Sequence, residues 1–320
     1  MARSDLIVDM VEAQRRGDAT RFRLVVEALI AEERSNQHHL VADRLSEIIT
    51  SAGTSGLPAR DAAAQGMGDL LHEIVPRVRL ASLHLNADVA TAAAEIVEEQ
   101  HRSELLRSHD IEPRNRVLLE GAPGNGKTSL AEAIAAEAML PMYAVRYEGI
   151  VSSFLGETAG RIDQVFEFAR TRRCVLFFDE FDTIAKERAD EHETGEIKRV
   201  VSTLLLQIDR LPAHVVVIAA TNHSELLDRA AWRRFQLRLA LQPPSRADAA
   251  AFLDSLRLRF GGQLGLAPRT LADRLAGASY AELEQFAQDV RRRYVLSLPD
   301  GDLTAIAKSR LQQWRTQAHR

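Results

Sequence analysis

The 320-residue chain is poor in cysteine and in aromatic residues, with one Cys, two Trp, four Tyr and an aromatic content of 5%. A lone Cys174 excludes an internal disulfide and a cysteine metal cluster, and it fits a reducing compartment. Apolar runs are short as well. The longest, such as Val215–Ala220, fall far below the ~20 residues that a bilayer-spanning helix requires. The opening MARSDLIVDMVEAQRR contains acids and lacks the apolar core of a secretory signal. No membrane span is therefore expected, and the expected location is cytoplasmic. Charge of one sign is also missing: 41 Lys and Arg face 45 Asp and Glu, a net charge of −4. That balance offers no global attraction to nucleic acid, so a nucleic-acid partner is not expected. Arg291-Arg292-Arg293 has no interleaved aromatic platform and reads as a solvated helix face. His38-His39 stands without further ligands, and no metal is assigned to it.

The hydrophobic content of 46% is enough for a substantial core, and the length suggests about two folded domains with a smaller addition. Within residues 4–50, Leu6, Ile7, Met10 and Val11 share a helical face, as do Phe22, Val25, Val26 and Ile30, and Val41, Leu45, Ile48 and Ile49. A three-helix domain is expected over 1–50. The small, polar and glycine-rich stretch that follows makes 51–68 the expected linker. Short β-rich runs then alternate with helical patterns: Arg116–Leu119, Met142–Arg146, Cys174–Phe178, His214–Ala220 and Gln236–Leu241. Continuous apolar runs of this kind indicate strands covered on both faces, hence an α/β domain built on a parallel sheet, over 69–243. From 244 to 320 the pattern is helical only.

Gly121-Ala122-Pro123-Gly124-Asn125-Gly126-Lys127-Thr128 has the spacing of a phosphate-binding loop, with a strand before it and a helix opening at Ser129 after it. Glycines allow backbone N–H groups to curl around a phosphate, the helix N-terminus adds its positive end, Lys127 reaches the β- and γ-phosphates, and Thr128 places a hydroxyl on Mg²⁺. The expected ligand is ATP with Mg²⁺. Asp179 ends the apolar run Val175–Phe178, 179 − 127 = 52 residues beyond the lysine, as a second ligand of the metal. Glu180, one residue on, can polarise the attacking water. The run ending at Ala220 leads into Thr221-Asn222, so the Asn222 amide is expected beside the γ-phosphate, orienting that water.

GAPGNGKT, VLFFDEFD, VVVIAATN and Leu227-Asp228-Arg229-Ala230-Ala231-Trp232-Arg233-Arg234-Phe235 resemble the Walker A, Walker B, sensor 1 and second homology region of AAA ATPases. The likeness covers roughly 80–300. It implies a parallel five-stranded αβα domain with a helical lid, and assembly into a homo-oligomeric ring, usually a hexamer. It also implies an arginine that reaches a neighbour's γ-phosphate. Arg233 and Arg234 stand at those positions, adjacent where many relatives have two residues between; Arg233 is favoured and the choice stays open. Gly277-Ala278-Ser279-Tyr280-Ala281-Glu282 resembles the lid segment that approaches adenine, with Gly277 and Ala278 as the expected contacts. Ile111 is a candidate for the other wall. Phe154, Leu155 and Gly156 resemble the pore loop of polypeptide-threading relatives, which implies a protein unfoldase or remodeller. In that reading the N-terminal helices recruit a protein substrate or partner, with a separately encoded protease as a variant. The alternative is a nucleic-acid-associated motor or loader.

Overall fold

The computed structural model describes residues 25–26, 28–29, 67–150, 155–182, 195–227, 229–262 and 264–318. The chain divides into two units, 1–66 and 67–320. The expected three-helix domain, apart from a few helical residues between 25 and 29, and the expected linker up to residue 66 lie outside the described residues. Met67 and Gly68, assigned to the end of that linker, belong to a turn closed by the Leu70 and Leu71 amides on the Met67 carbonyl, each at 2.8 Å.

Residues 67–243 build a sheet of six strands: β1 Leu71–Ile74, β2 Arg116–Glu120, β3 Met142–Val145, β4 Cys174–Phe178, β5 Val215–Thr221 and β6 Leu237–Ala240. They lie in the order β1-β3-β4-β5-β2-β6. Every pairing from β3 to β6 is parallel. All residues of β4 and β5 are buried, the state that their unbroken apolar runs demand when helices cover both faces. The five strands expected form the parallel part, and a sixth is added at its edge. β1 is a short edge strand, antiparallel to β3, with Leu71 opposite Val145.

Among the described residues the α-helices of this part are α1 Ala87–His101, α2 Ser103–Arg107, α3 Lys127–Glu137, α4 Tyr147–Ile150, α5 Leu155–Arg170, α6 Gly195–Asp209 and α7 Arg229–Trp232. Val89, Ala93 and Ile96 of α1 and Leu130 and Ile134 of α3 recur at helical spacing and bury one sheet face with Val117, Leu119, Val175, Phe177, Val216 and Ile218. Small Ala131 and Ala135 in the same core let α3 lie close to the strands.

Pro243 and Pro244 precede a second, all-helical part made of α8 Arg246–Arg259, α9 Pro268–Arg274, α10 Tyr280–Leu296 and α11 Leu303–Ala318. Leu253, Leu256, Leu271, Leu283, Phe286 and Val290 form its own core. Helix α10 starts at a full capping box, in which Ser279 and Glu282 exchange side-chain and backbone hydrogen bonds.

Candidate active site

Parallel register sets three strand ends side by side. Leu119 of β2 lies opposite Ala220 of β5, and Phe178 of β4 lies opposite Ala219 of β5. The loop 121–126, the pair Asp179-Glu180, and Asn222 therefore emerge at one edge of the sheet, where ligands of such folds bind.

The loop is shaped by close approach. A Cβ on Gly121, whose φ is +142°, would stand 2.2 Å from the Leu241 carbonyl oxygen, and one on Gly124 would stand 2.7 Å from Ser279 Oγ. The first N–H groups of α3 lack carbonyls ahead of them and face the loop. Lys127 is buried, and its Nζ donates to the Gly121 carbonyl at 2.6 Å, the Ala122 carbonyl at 3.2 Å and Asn222 Oδ1 at 2.6 Å. Loss of hydration lowers its pKa, against the opposing pull of Asp179 and Asp182.

Thr128 Oγ1 donates to Asp179 Oδ2 at 3.3 Å, while Asp179 Oδ1 accepts from the Glu180 amide at 2.9 Å. Glu180 has a φ of +46°, left-handed backbone that a side chain seldom adopts, and its side chain is exposed. Asp182 was not among the residues singled out by the motifs. It is buried, and its Oδ1 accepts from Thr221 Oγ1 at 2.8 Å and from the Asn222 amide at 3.2 Å, so it fixes the strand end that presents Asn222. The only signal for it was a third acid in Asp179-Glu180-Phe181-Asp182.

The cleft beside these groups has a volume of about 790 Å³ and is lined by residues 123–129, Asp179, Glu180 and Asn222. Its far wall combines Leu83, His84 and Leu85 with Phe252 and Tyr280. His84 meets Phe252 edge-on at 5.3 Å and stacks on Tyr280 at 6.3 Å. The residues expected at the adenine wall do not line this cleft. Ile111 is 54% exposed and does not line the cleft, because the turn after α2 carries it away. Gly277 and Ala278 do not line it either; Ala278 is buried in the lid core. The capping box turns the next residues toward the loop instead, and the Ala281 amide donates to the Gly124 carbonyl at 3.0 Å.

Ser129 lies within α3 and lines the cleft. Asn125 is buried, and neither amide atom of its side chain is hydrogen-bonded among the described residues. Arg233 is exposed in the turn between α7 and β6. Arg234 Nε instead lies 2.9 Å from Asp209 Oδ2, and Asp209 also holds Arg116 at 3.1 Å. Leu155 and Gly156 open α5 rather than occupying a loop, and Phe154 lies outside the described residues.

The donor set fits Mg²⁺ with a nucleotide. A hydroxyl and a carboxylate side by side are hard oxygen ligands, and such an ion takes its remaining ligands from phosphate and water. Among the described residues no group of three or more His, Cys, Asp or Glu could hold a metal alone. No helix among them is long and apolar enough to cross a membrane.

A profile of the ATPase family associated with various cellular activities (AAA) matches residues 117–243, which hold all three strand ends. The chain is 36% identical over 292 residues to an AAA family ATPase of Sinorhizobium fredii, across 89% of this chain and 87% of that one. It is 38% identical over 201 residues to the ATP-dependent zinc metalloprotease FtsH 3 of Sphaerobacter thermophilus, across 60% of this chain and 40% of that one. Identity to the peroxisomal ATPase pex6 of Schizosaccharomyces pombe is 41% over 129 residues, across 38% and 14%. The chain thus spans less than half the length of these last two relatives. The cradle, its buried lysine, the paired acids and the likeness over nearly the whole length of one relative lead to one conclusion: the chain belongs to the AAA family of ATPases and is an ATP hydrolase.

Proposed function

We propose that this ATPase hydrolyses Mg-ATP at the 121–128 loop, works as an oligomeric ring, expected to be a hexamer, and spends the cycle on remodelling or unfolding polypeptides. The observation that carries the hydrolytic reading is the convergence of Lys127, Thr128, Asp179, Glu180 and Asn222 on one sheet edge. In this reading the loop amides of 121–126 and the start of α3, including Ser129, hold the phosphates, and Lys127 spans the β- and γ-oxygens. Thr128 and Asp179 would hold Mg²⁺, which would supply charge neutralisation of the phosphates. Glu180 draws the proton from the attacking water, and Asn222 orients that water. The adenine sits against His84, Phe252 and Tyr280. Arg233 reaches the neighbouring subunit's γ-phosphate, while Arg234 is occupied within its own chain.

Lys127→Ala should abolish nucleotide binding, and Glu180→Gln should bind ATP and fail to turn it over, because only the latter leaves the cradle intact. Equilibrium binding and a phosphate-release assay on both variants test this; equal ATP affinity would remove the assignment.

The polypeptide reading is supported by relatives named as an ATP-dependent zinc metalloprotease and as a putative 26S proteasome regulatory subunit homolog, the latter 35% identical over 151 residues. In the variant of this reading that includes a protease, the protease is a separately encoded partner. The net charge of −4 counts against the alternative of a nucleic-acid motor. Glu180→Gln, loaded with ATP, should retain its substrate through purification. Recovery of nucleic acid in place of protein would overturn the polypeptide reading.

A further inference from the structure

Beyond β3 the chain passes through Arg146 into α4, whose first residue is Tyr147. Strands β3 and β4 run parallel with Ala144 opposite Phe177. Tyr147 and Glu180 each stand three residues past that pair, so both lie just beyond the same edge of the sheet. The Tyr147 hydroxyl is sealed from solvent and has no hydrogen-bond partner among the described residues. A buried donor without an acceptor is costly and uncommon, and it calls for an explanation. Burial, reinforced by the negative charges of Asp179, Asp182 and Glu180, holds its pKa well above that of an ordinary phenol, so the group is a neutral donor lying in the field of three carboxylates.

Two of those carboxylates are already engaged. Asp179 accepts from Thr128 and from the Glu180 amide, and Asp182 accepts from Thr221 and the Asn222 amide. The Glu180 carboxylate makes no hydrogen bond or ion pair among the described residues, and it is carried on left-handed backbone. A strained carrier needs a contact that specifies where its side chain points. An unpaired donor and an unpaired acceptor on neighbouring strand ends supply one.

We propose that Tyr147 is a positioning residue of the hydrolytic step, its hydroxyl donating to the Glu180 carboxylate in the ATP-bound protein and holding that carboxylate toward the attacking water. The proposal rests on the reading of Glu180 as the residue that activates water. Tyr147 touches neither nucleotide nor water; it acts through Glu180.

The test compares Tyr147→Phe, Glu180→Gln and the double variant of the full chain, by steady-state and single-turnover ATP hydrolysis, with thermal unfolding of each. Tyr147→Phe should lower kcat roughly tenfold or more, the size of one hydrogen bond to a charged acceptor, and leave KM for ATP unchanged. Its Tm without nucleotide should stay level or rise, since the exchange removes an unpaired buried hydroxyl and keeps the ring. In the Glu180→Gln background the same exchange should lower the single-turnover rate no further. Wild-type kcat in Tyr147→Phe, a change confined to KM, or an equal effect in both backgrounds would overturn the proposal. A Tm loss large enough to account for the lost activity would do so as well. Wild-type turnover by Glu180→Gln would instead remove the reading of Glu180, and the Tyr147 proposal with it.

Discussion

Arg233 and Arg234 are adjacent and chemically identical, yet they occupy different surroundings. Arg234 shares Asp209 with Arg116, and each of the three side chains is less than about one-third exposed, as expected for a clamp between α6 and the entry to β6. Arg233 is exposed on the turn. Arg234→Ala is expected to lower stability by about 1 kcal/mol, a drop of about 2–4 °C in Tm for a chain of this size. Arg233→Ala should leave Tm unchanged and lower turnover, by up to ~10³–10⁵ if the residue acts as a finger. Differential scanning fluorimetry with an ATPase assay separates them, and the reverse pattern would exchange their roles. Gly121→Ala belongs to the same scale. Its Cβ would meet the Leu241 carbonyl at 2.2 Å, so the variant should lose about 2–3 kcal/mol or fail to bind ATP. Wild-type Tm together with wild-type affinity would contradict the geometry.

At the scale of elements, the central strands were legible because both faces are buried, and each residue of such a strand has to be apolar or small. Cys174 at the start of β4 is fully buried, and burial pushes its thiol up to about 12. Below that pH the group is a thiol rather than a thiolate and is shielded from reagents. Alkylation by iodoacetamide at pH 8 should be negligible in the native protein and fast in denaturant; fast native labelling would show that β4 opens locally. The lid helix α10 was legible through its capping box, and Ser279→Ala should cost ~1 kcal/mol of stability. Because Ser279 also packs on Gly124, its loss should weaken ATP binding beyond what the cap accounts for. β1 was not legible. Leu71-His72-Glu73-Ile74 has too few residues to display a period, and it is a strand only because β3 offers a free edge far along the chain. Nor did the sequence pattern reveal that α5 includes Leu155 and Gly156, since Leu155-Gly156-Glu157 reads equally well as loop.

At the scale of the whole molecule, the proposed finger in trans would make turnover a property of the assembly. Specific ATPase activity should rise with protein concentration as subunits associate. Mixing Arg233→Ala with Lys127→Ala should restore activity, because some interfaces then join an intact cradle to an intact arginine. Sedimentation analysis alongside the assay decides the matter; constant specific activity down to monomer concentrations would exclude the ring mechanism.

The phosphate loop, the acids of the second motif, Asn222 and the lid were readable from the residues alone, because their chemistry depends on local runs: glycines at fixed spacing, apolar strands ending in acids, and a box of four residues around a helix start. What joins residues distant along the chain could be decided only in three dimensions. The register of β2, β4 and β5 carries Asn222 onto Lys127 and Asp182 under Asn222, and the packing of α6 sets Asp209 against Arg234. Packing likewise sets Leu83, His84 and Leu85, rather than Ile111, in the cleft beside Phe252 and Tyr280. Each of these depends on which face and which edge a segment presents after the chain has crossed the sheet, a property of packing that no local pattern encodes.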